Sequence, residues 1–458
     1  MTADWVRRPA VASAWLSAAV LGTALNLRAA VTSVGALLPE VQSALAMGPV
    51  QAGVLTSLPV FSFALVALVA NRFARRFGLV SAMTLSMVAV SSGLVLRVAV
   101  LDGTWLIVTS LVALSGMAIG NVLLPVAVRT WFPDRVGAMT GWYALMIAAS
   151  TGLPAAVSVP IATGLGGWRP GLAVWAVPAA LSLVPWLLAL RARGQPSADR
   201  YEPLRPTAVE VDTAPADGDT GERAAAAVGA PGDGAGEPDP AGRVGSVHRR
   251  VQSWALAVFF GVQALEAYVL MGWLPSILRE AGVAPGAAGA MTGVAMIIGG
   301  PVALVLPRLA SRDEDQRIYV VGLIALSVAG YLGLLFAPAA QPLLWTVLLG
   351  LGLGAFPLAL LLIGVRAATT PGTAQLSVLV QSFGYLVAGL GPVTIGALRG
   401  WSGGWSVPLT LLLLLLIPKL IGGVIAASPG KVDVDIALDL RRDVLRGLRA
   451  DRDPPPMP

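Results

Sequence analysis

The chain has 458 residues, of which 56% are hydrophobic and only 12% charged, with a net charge of +6 and a mean hydropathy of +0.77. Soluble domains are about 25% charged, so this composition is that of a membrane protein. The absence of cysteine, with a single histidine (His248) in a polar stretch, excludes disulfide frameworks, thiolate chemistry and Cys-ligated zinc. No cofactor, metal or catalytic residue is therefore expected, and the chain is read as a non-enzyme.

A membrane-spanning helix needs about 20 apolar residues. Six candidates precede residue 191, at 11–38, 50–70, 79–100, 105–128, 136–164 and 168–190. The run after Arg7 and Arg8 shows no clear cleavage site and is read as a retained helix. Six more candidates follow, at 253–278, 286–306, 318–336, 343–365, 374–398 and 407–427. Four segments result: a bundle at 1–190, a linker at 191–250, a bundle at 251–428 and a tail at 429–458. The linker is rich in Ala, Gly, Pro and Asp and poor in large apolar residues, so it cannot bury a core and is expected to be disordered. The tail is expected to be solvated, although "VDIALDLRRDVLRGLR" has an amphipathic pattern.

Arginines cluster in the N-terminus and the even-numbered loops, including Arg72, Arg75, Arg76, Arg129, Arg135, Arg308, Arg312, Arg317 and Arg366. The odd-numbered loops hold Arg97, Arg169, Arg279 and Arg399. The positive-inside rule then puts both termini and the linker in the cytoplasm. This topology also accounts for the basic balance without a nucleic-acid partner. The expected partners are membrane lipid and a small-molecule substrate, with the chain monomeric.

The two halves are internally related. "LPEVQSALAMGPVQAGVLTSL" from Leu38 aligns without gaps on "LPSILREAGVAPGAAGAMTGV" from Leu274, matching Pro49 with Pro285, Gly53 with Gly289 and Thr56 with Thr292. The same register carries "NRFARR" onto "PRLASR". Two like-oriented six-span halves predict an all-α membrane protein with the major-facilitator fold: 12 transmembrane helices in two pseudo-symmetric six-helix bundles, with substrate bound between them.

The loop "ALVANRFARRFG" resembles the major-facilitator signature G-x-x-x-D-R-x-G-R-R, retaining Arg72, Arg75 and Arg76 but replacing its Asp with Asn71. That replacement weakens the cytoplasmic charge latch which the resemblance implies. "LNLRAAVTSVGALLPEV", "GVLTSLPVFSFALVA", "GMAIGNVLLPVAVRTWFPDRVGAMTGWY", "GGWRPGLAVWAVPA" and "QSFGYLVAGLGPVTIGAL" together resemble the bacterial cyanate/2-nitroimidazole transporter family (CynX/NimT). The resemblance implies secondary transport of a small anionic or nitroaromatic molecule across the bacterial plasma (inner) membrane. An exporter of a drug or nitroaromatic is the alternative reading, and a membrane-embedded enzyme or a channel the more distant ones. No G-x-x-x-x-G-K-[ST] motif is present, so the energy source is read as a gradient.

Charge inside a span marks function, because an arginine at a helix centre costs about 2.5–3.5 kcal/mol on insertion scales. Arg28 lies deep in the first span and is the leading anion-binding candidate, with a structural ion pair as the other reading. Thr32 lies near its face, whereas Asn26 points away and is read as a packing residue. On the seventh span Gln263, Glu266 and Trp273 fall on one helical stripe with Phe259 and Leu270. Glu266 has two compatible roles, neutralising Arg28 or carrying a coupling proton. Asn121 on the fourth span, Tyr143 on the fifth, and Gln381 and Tyr385 on the eleventh complete the substrate-site candidates.

Overall fold

The computed structural model describes residues 9–191 and 245–433. The linker between those ranges and the tail beyond Asp433, including its amphipathic pattern, lie outside the described residues. Helices account for all the regular structure described. In the first half, α1 (Pro9–Asn26), α2 (Ala29–Ala36) and α3 (Leu38–Ala44) are followed by α4 (Pro49–Phe77), α5 (Leu79–Leu96) and α6 (Gly103–Trp131). The half ends with α7 (Val136–Gly164), α8 (Trp168–Ala173) and α9 (Ala176–Arg191). A short α10 (Gly245–Arg249) leads into α11 (Val251–Glu280), α12 (Pro285–Ala310) and α13 (Arg317–Phe336). The second half closes with α14 (Pro342–Gly352), α15 (Ala355–Val365), α16 (Thr370–Ser402) and α17 (Ser406–Ala427).

Twelve stretches of this set are long and apolar enough to cross a membrane. The first, sixth and tenth are each made of two consecutive helices, broken at Leu27–Arg28, Val174–Trp175 and Leu353–Gly354. Helix starts follow local chemistry. Asp102 caps α6 by accepting from the backbone amides of Thr104 and Trp105, and Pro49 and Pro285 occupy the first turns of α4 and α12, where a missing N–H costs nothing.

The halves join through α4 against α16, α7 against α12, and α2 against α11. Repeat-matched glycines make the first two contacts. A Cβ on Gly53 would stand 2.8 Å from the Pro392 carbonyl oxygen, and one on Gly289 would stand 2.6 Å from that of Ala155. Small residues let membrane helices approach backbone to backbone, which replaces the hydrophobic driving force lipid removes. These approaches run from Gly396 against Pro49 down to Gly389 against Phe61, and from Gly286 beside Pro160 down to Gly300 beside Ala148. Towards the arginine-rich end, Gly137 and Gly141 on α7 and Gly364 on α15 have open space around them. The end that carries Glu40 and Arg279 is where the halves are bridged, by that ion pair and by the backbone approaches of Gly35 and Gly396.

At the opposite end of the second half, the chain after α17 is bound to the bundle. The Arg366 guanidinium donates to the Ala426 and Ala427 carbonyls, and Asp433 accepts from the amides of Ala368 and Thr369 and from the Thr369 hydroxyl. Lys431 to Asp433 therefore depart from the expected solvated tail, because the free carbonyls of Val365 and Arg366 ending α15 and the free amides preceding α16 offer them partners.

Candidate functional site

The first span breaks where the charge sits. Leu27 and Arg28 form a turn without Pro or Gly, and Arg28 (φ −129°, ψ −13°) precedes the first residue of α2. Its backbone N–H, released from the helical ladder, donates to Ser150 Oγ on α7 at 2.8 Å. The break lets the helix serve two surroundings. Asn26 turns into its own half, its Nδ2 donating to Gly22 O at 2.8 Å and Ser182 Oγ at 3.0 Å. Trp186 Nε1 donates to Thr23 Oγ1 one turn away.

Arg28 faces the junction between the halves. Its guanidinium carbon lies 4.9 Å from the Phe63 ring centroid on α4, a cation–π distance. Tyr268 on α11 stands within side-chain interaction range, and Tyr385 on α16 within its electrostatic reach. Tyr385 in turn packs edge-on against Phe260 at 5.4 Å. Among the described residues no carboxylate pairs with Arg28, and its Nη1 is buried without a hydrogen-bond partner. A guanidinium nitrogen shielded from water yet lacking an acceptor is primed for an incoming oxygen atom, since an unmade bond to a buried polar group is costly. Arg28, Phe63, Ser150, Tyr268 and Tyr385 come from the first, second, fifth, seventh and eleventh spans respectively.

Glu266 does not neutralise Arg28. Its carboxylate is held by the Lys419 ammonium of α17, both side chains essentially inaccessible to solvent. Tyr331 of α13, also fully buried, lies beside the same carboxylate. Gln263 likewise faces into the second half, donating to the Leu353 carbonyl at the break between α14 and α15. The polar stripe on α11 thus faces the interior of its own bundle, while Tyr268, two residues on from Glu266 and so about 200° around the helix, faces Arg28. An amphipathic stripe distinguishes non-lipid from lipid; it does not distinguish a bundle core from a cavity.

The other candidates are dispersed. Thr32 is buried and donates to the Arg28 carbonyl at 3.3 Å. Asn121 is half-buried on α6. Tyr143 sits nearer the arginine-rich end, with Thr140 and Arg129 as neighbours. Gln381 donates to Ser377 Oγ at 2.6 Å. Trp273 lies at the closed end, donating to the Pro392 carbonyl at 3.2 Å and packing edge-on against Trp405 at 5.6 Å. It lines a cavity of about 490 Å³ with Arg279, Glu280 and Arg399. Above it Arg279 bridges the halves by gripping Glu40 at 2.8 and 2.5 Å. In the loop motif Arg72, Arg75 and Arg76 are exposed, Arg76 lying over the Phe77 ring, and α4 ends at Gly78 with φ 88°. The Asn71 side chain lies outside what is described.

The sequence pattern of the Major Facilitator Superfamily matches residues 14–392. The chain belongs to that superfamily. It is 30% identical over 419 residues to the 2-nitroimidazole transporter of Escherichia coli (strain K12), which covers 91% of this chain and 96% of that protein. It is 26% identical to the cyanate transport protein CynX of the same organism, covering 83% and 89%. An uncharacterized Bacillus subtilis transporter, YycB, is 31% identical, covering 89% and 92%. Among solved structures, an inward-facing, occupied bacterial homolog of the human lysosomal transporter Spinster superposes with a TM-score of 0.68 at 12% identity, covering 93% of this chain and 97% of that one. The D-xylose–proton symporter gives 0.60 at 14%, covering 91% and 96%. The fold and the family agree: this is a multi-pass membrane transporter related to the cyanate and 2-nitroimidazole transporters, not an enzyme.

Proposed function

We propose that the protein moves a small anionic solute across the bacterial inner membrane by rocker-switch alternating access, with Arg28 as the group that holds it. The observation that carries this reading is the buried, unpartnered Nη1 of Arg28, at the junction of both halves and with no carboxylate to neutralise it. Guanidinium is always charged and offers paired, coplanar donors. Bounded by Phe63, Tyr268 and Tyr385, it suits a flat group carrying two oxygen acceptors. A carboxylate has that shape, and so does a nitro group, which supports 2-nitroimidazole-like compounds as the second class of solute and export as the second direction. The positive-inside rule makes the open, arginine-rich end cytoplasmic, so the conformation is inward-open with both termini inside.

Proton coupling, in this reading, belongs to the Glu266–Lys419 pair. One proton added to Glu266 leaves Lys419 charged and breaks the link between α11 and α17, away from the substrate. The reading is tested with purified protein in proteoliposomes, measuring binding and counterflow of cyanate, benzoate and 2-nitroimidazole by wild type and Arg28→Gln. Loss of binding of about 10–100-fold is expected, the worth of a charge-assisted hydrogen bond. Unchanged binding of every solute that wild type recognises would refute the assignment.

A further inference from the structure

A second arginine is buried in the first half, and it too lacks a counter-charge. Arg97, just past the end of α5, is 1% exposed. Two of its nitrogens are used: Nη1 donates to the Ala30 carbonyl at 2.9 Å and Nη2 to Ser33 Oγ at 3.0 Å. Its Nε is buried without a partner, and so is the hydroxyl of Ser110 on α6, a residue 4% exposed. Both residues line one small cavity of about 20 Å³, walled otherwise by apolar side chains such as Val31, Val34, Leu55 and Leu114. Thr56, also on its wall, has its hydroxyl hydrogen directed at the Ala52 and Gly53 carbonyls. Among the described residues no carboxylate pairs with Arg97.

We propose that this cavity binds one monoatomic anion of the halide class, held by Arg97 Nε and Ser110 Oγ. The volume admits a single water-sized particle. A water molecule would occupy the two donors but leave the guanidinium charge uncompensated. That is the expensive arrangement, because the desolvation of a buried charge is offset only by a partner of opposite charge. A halide accepts both donors and cancels the charge. Polyatomic oxyanions are too large for the space, so the site is distinct in chemistry from the Arg28 junction. Its effect is nevertheless felt there. Arg97 fastens Ala30 and Ser33, the segment directly after the break at Arg28, so a halide that fixes Arg97 also fixes α2.

The test is thermal unfolding of the purified full-length protein in detergent, with gluconate replaced by chloride or bromide at constant ionic strength. The unfolding midpoint of wild type should rise saturably with either halide. Ser110→Val, which fills the cavity and removes a donor, should abolish that rise, and Ser110→Ala should weaken the apparent halide affinity about tenfold, the effect of one lost hydrogen bond to a charged group. Arg28→Gln should keep the full rise, which separates this site from the transport site. A midpoint indifferent to the anion, or a halide rise that persists unchanged in Ser110→Val, would overturn the proposal and leave the cavity to water alone.

Discussion

A Cβ at Gly35 would stand 2.1 Å from the carbonyl oxygen of Met271, and the register that aligns Leu38 with Leu274 makes these two positions mates in the internal repeat. The two halves therefore meet here on their own pseudo-two-fold relation, with Gly272 pressed on Thr56 beside it. Only a residue without a side chain permits the approach, and backbone on both sides leaves nothing flexible to yield. Gly35→Val should block closure at this end, costing the closed form about 1–3 kcal/mol, as overpacking does. Spin labels on the Glu40 and Arg279 ends should report a population moved towards separation, whereas Gly164→Ala, which has open space around it, should move nothing.

The Glu266–Lys419 pair makes a prediction about both stability and coupling. Removing one member of a buried pair strands the other, at a cost of about 3–5 kcal/mol, while replacing both with apolar groups is often neutral. Glu266→Gln and Lys419→Met alone should therefore each lower the unfolding midpoint markedly, and Glu266→Leu with Lys419→Met should recover most of the loss. The recovered double variant then tests the coupling role cleanly. It should still exchange solute across a vesicle membrane, yet fail to concentrate it when a proton gradient is imposed. Accumulation that survives in the double variant would remove the proton from this pair.

Around Arg28, the tyrosines separate shape from charge. Tyr268→Phe keeps the aromatic wall of α11 and deletes the hydroxyl next to the guanidinium, so it should weaken anion binding several-fold while leaving a neutral nitroaromatic less affected. Tyr385→Ala removes the ring that packs on Phe260 and should impair both solutes. Equal losses for the two solutes in Tyr268→Phe would mean that the hydroxyl positions Arg28 rather than recognising charge. Isothermal titration with benzoate and 2-nitroimidazole measures the difference.

The spans, the repeat and Arg28 were legible because each is written in local sequence: apolar length, a gapless alignment and a charge in the wrong solvent. Glu266 was legible as an anomaly but its partner was not. Lys419 interrupts "LLLLLLIPKLIGG" as plainly as Arg28 interrupts the first span, and pairing the two intramembrane charges of the second half was the available clue. The break at Leu27–Arg28 carries no Pro or Gly, so its cause is tertiary: Ser150 supplies the acceptor that lets the backbone leave the helix. Tyr268 lies off the stripe that Gln263 and Glu266 define on α11. Periodicity orders residues by face, and only the packing of α11 against α17 decides which face looks inward.

Glu40 and Arg279 supply a bidentate link between the halves at the closed end, and Arg399 with Glu280 lies next to it within the second half. The pair is partly solvated, with 17% and 32% of the two side chains exposed, so its contribution to overall stability is small, about 0–1 kcal/mol. Its influence on conformation is larger in proportion, because alternating access needs two states of nearly equal free energy and even 1 kcal/mol shifts their ratio about fivefold. Glu40→Gln should leave the unfolding midpoint almost unchanged while raising the labelling rate of a cysteine placed at Gln42, in the cavity beneath the bridge. Exchanging the charges, with Glu40→Arg and Arg279→Glu together, should return labelling towards the wild-type rate where either single reversal accelerates it. Failure of the exchange to restore closure would assign the closed end to the glycine contacts of Gly35 and Gly53 and leave the ion pair a passenger.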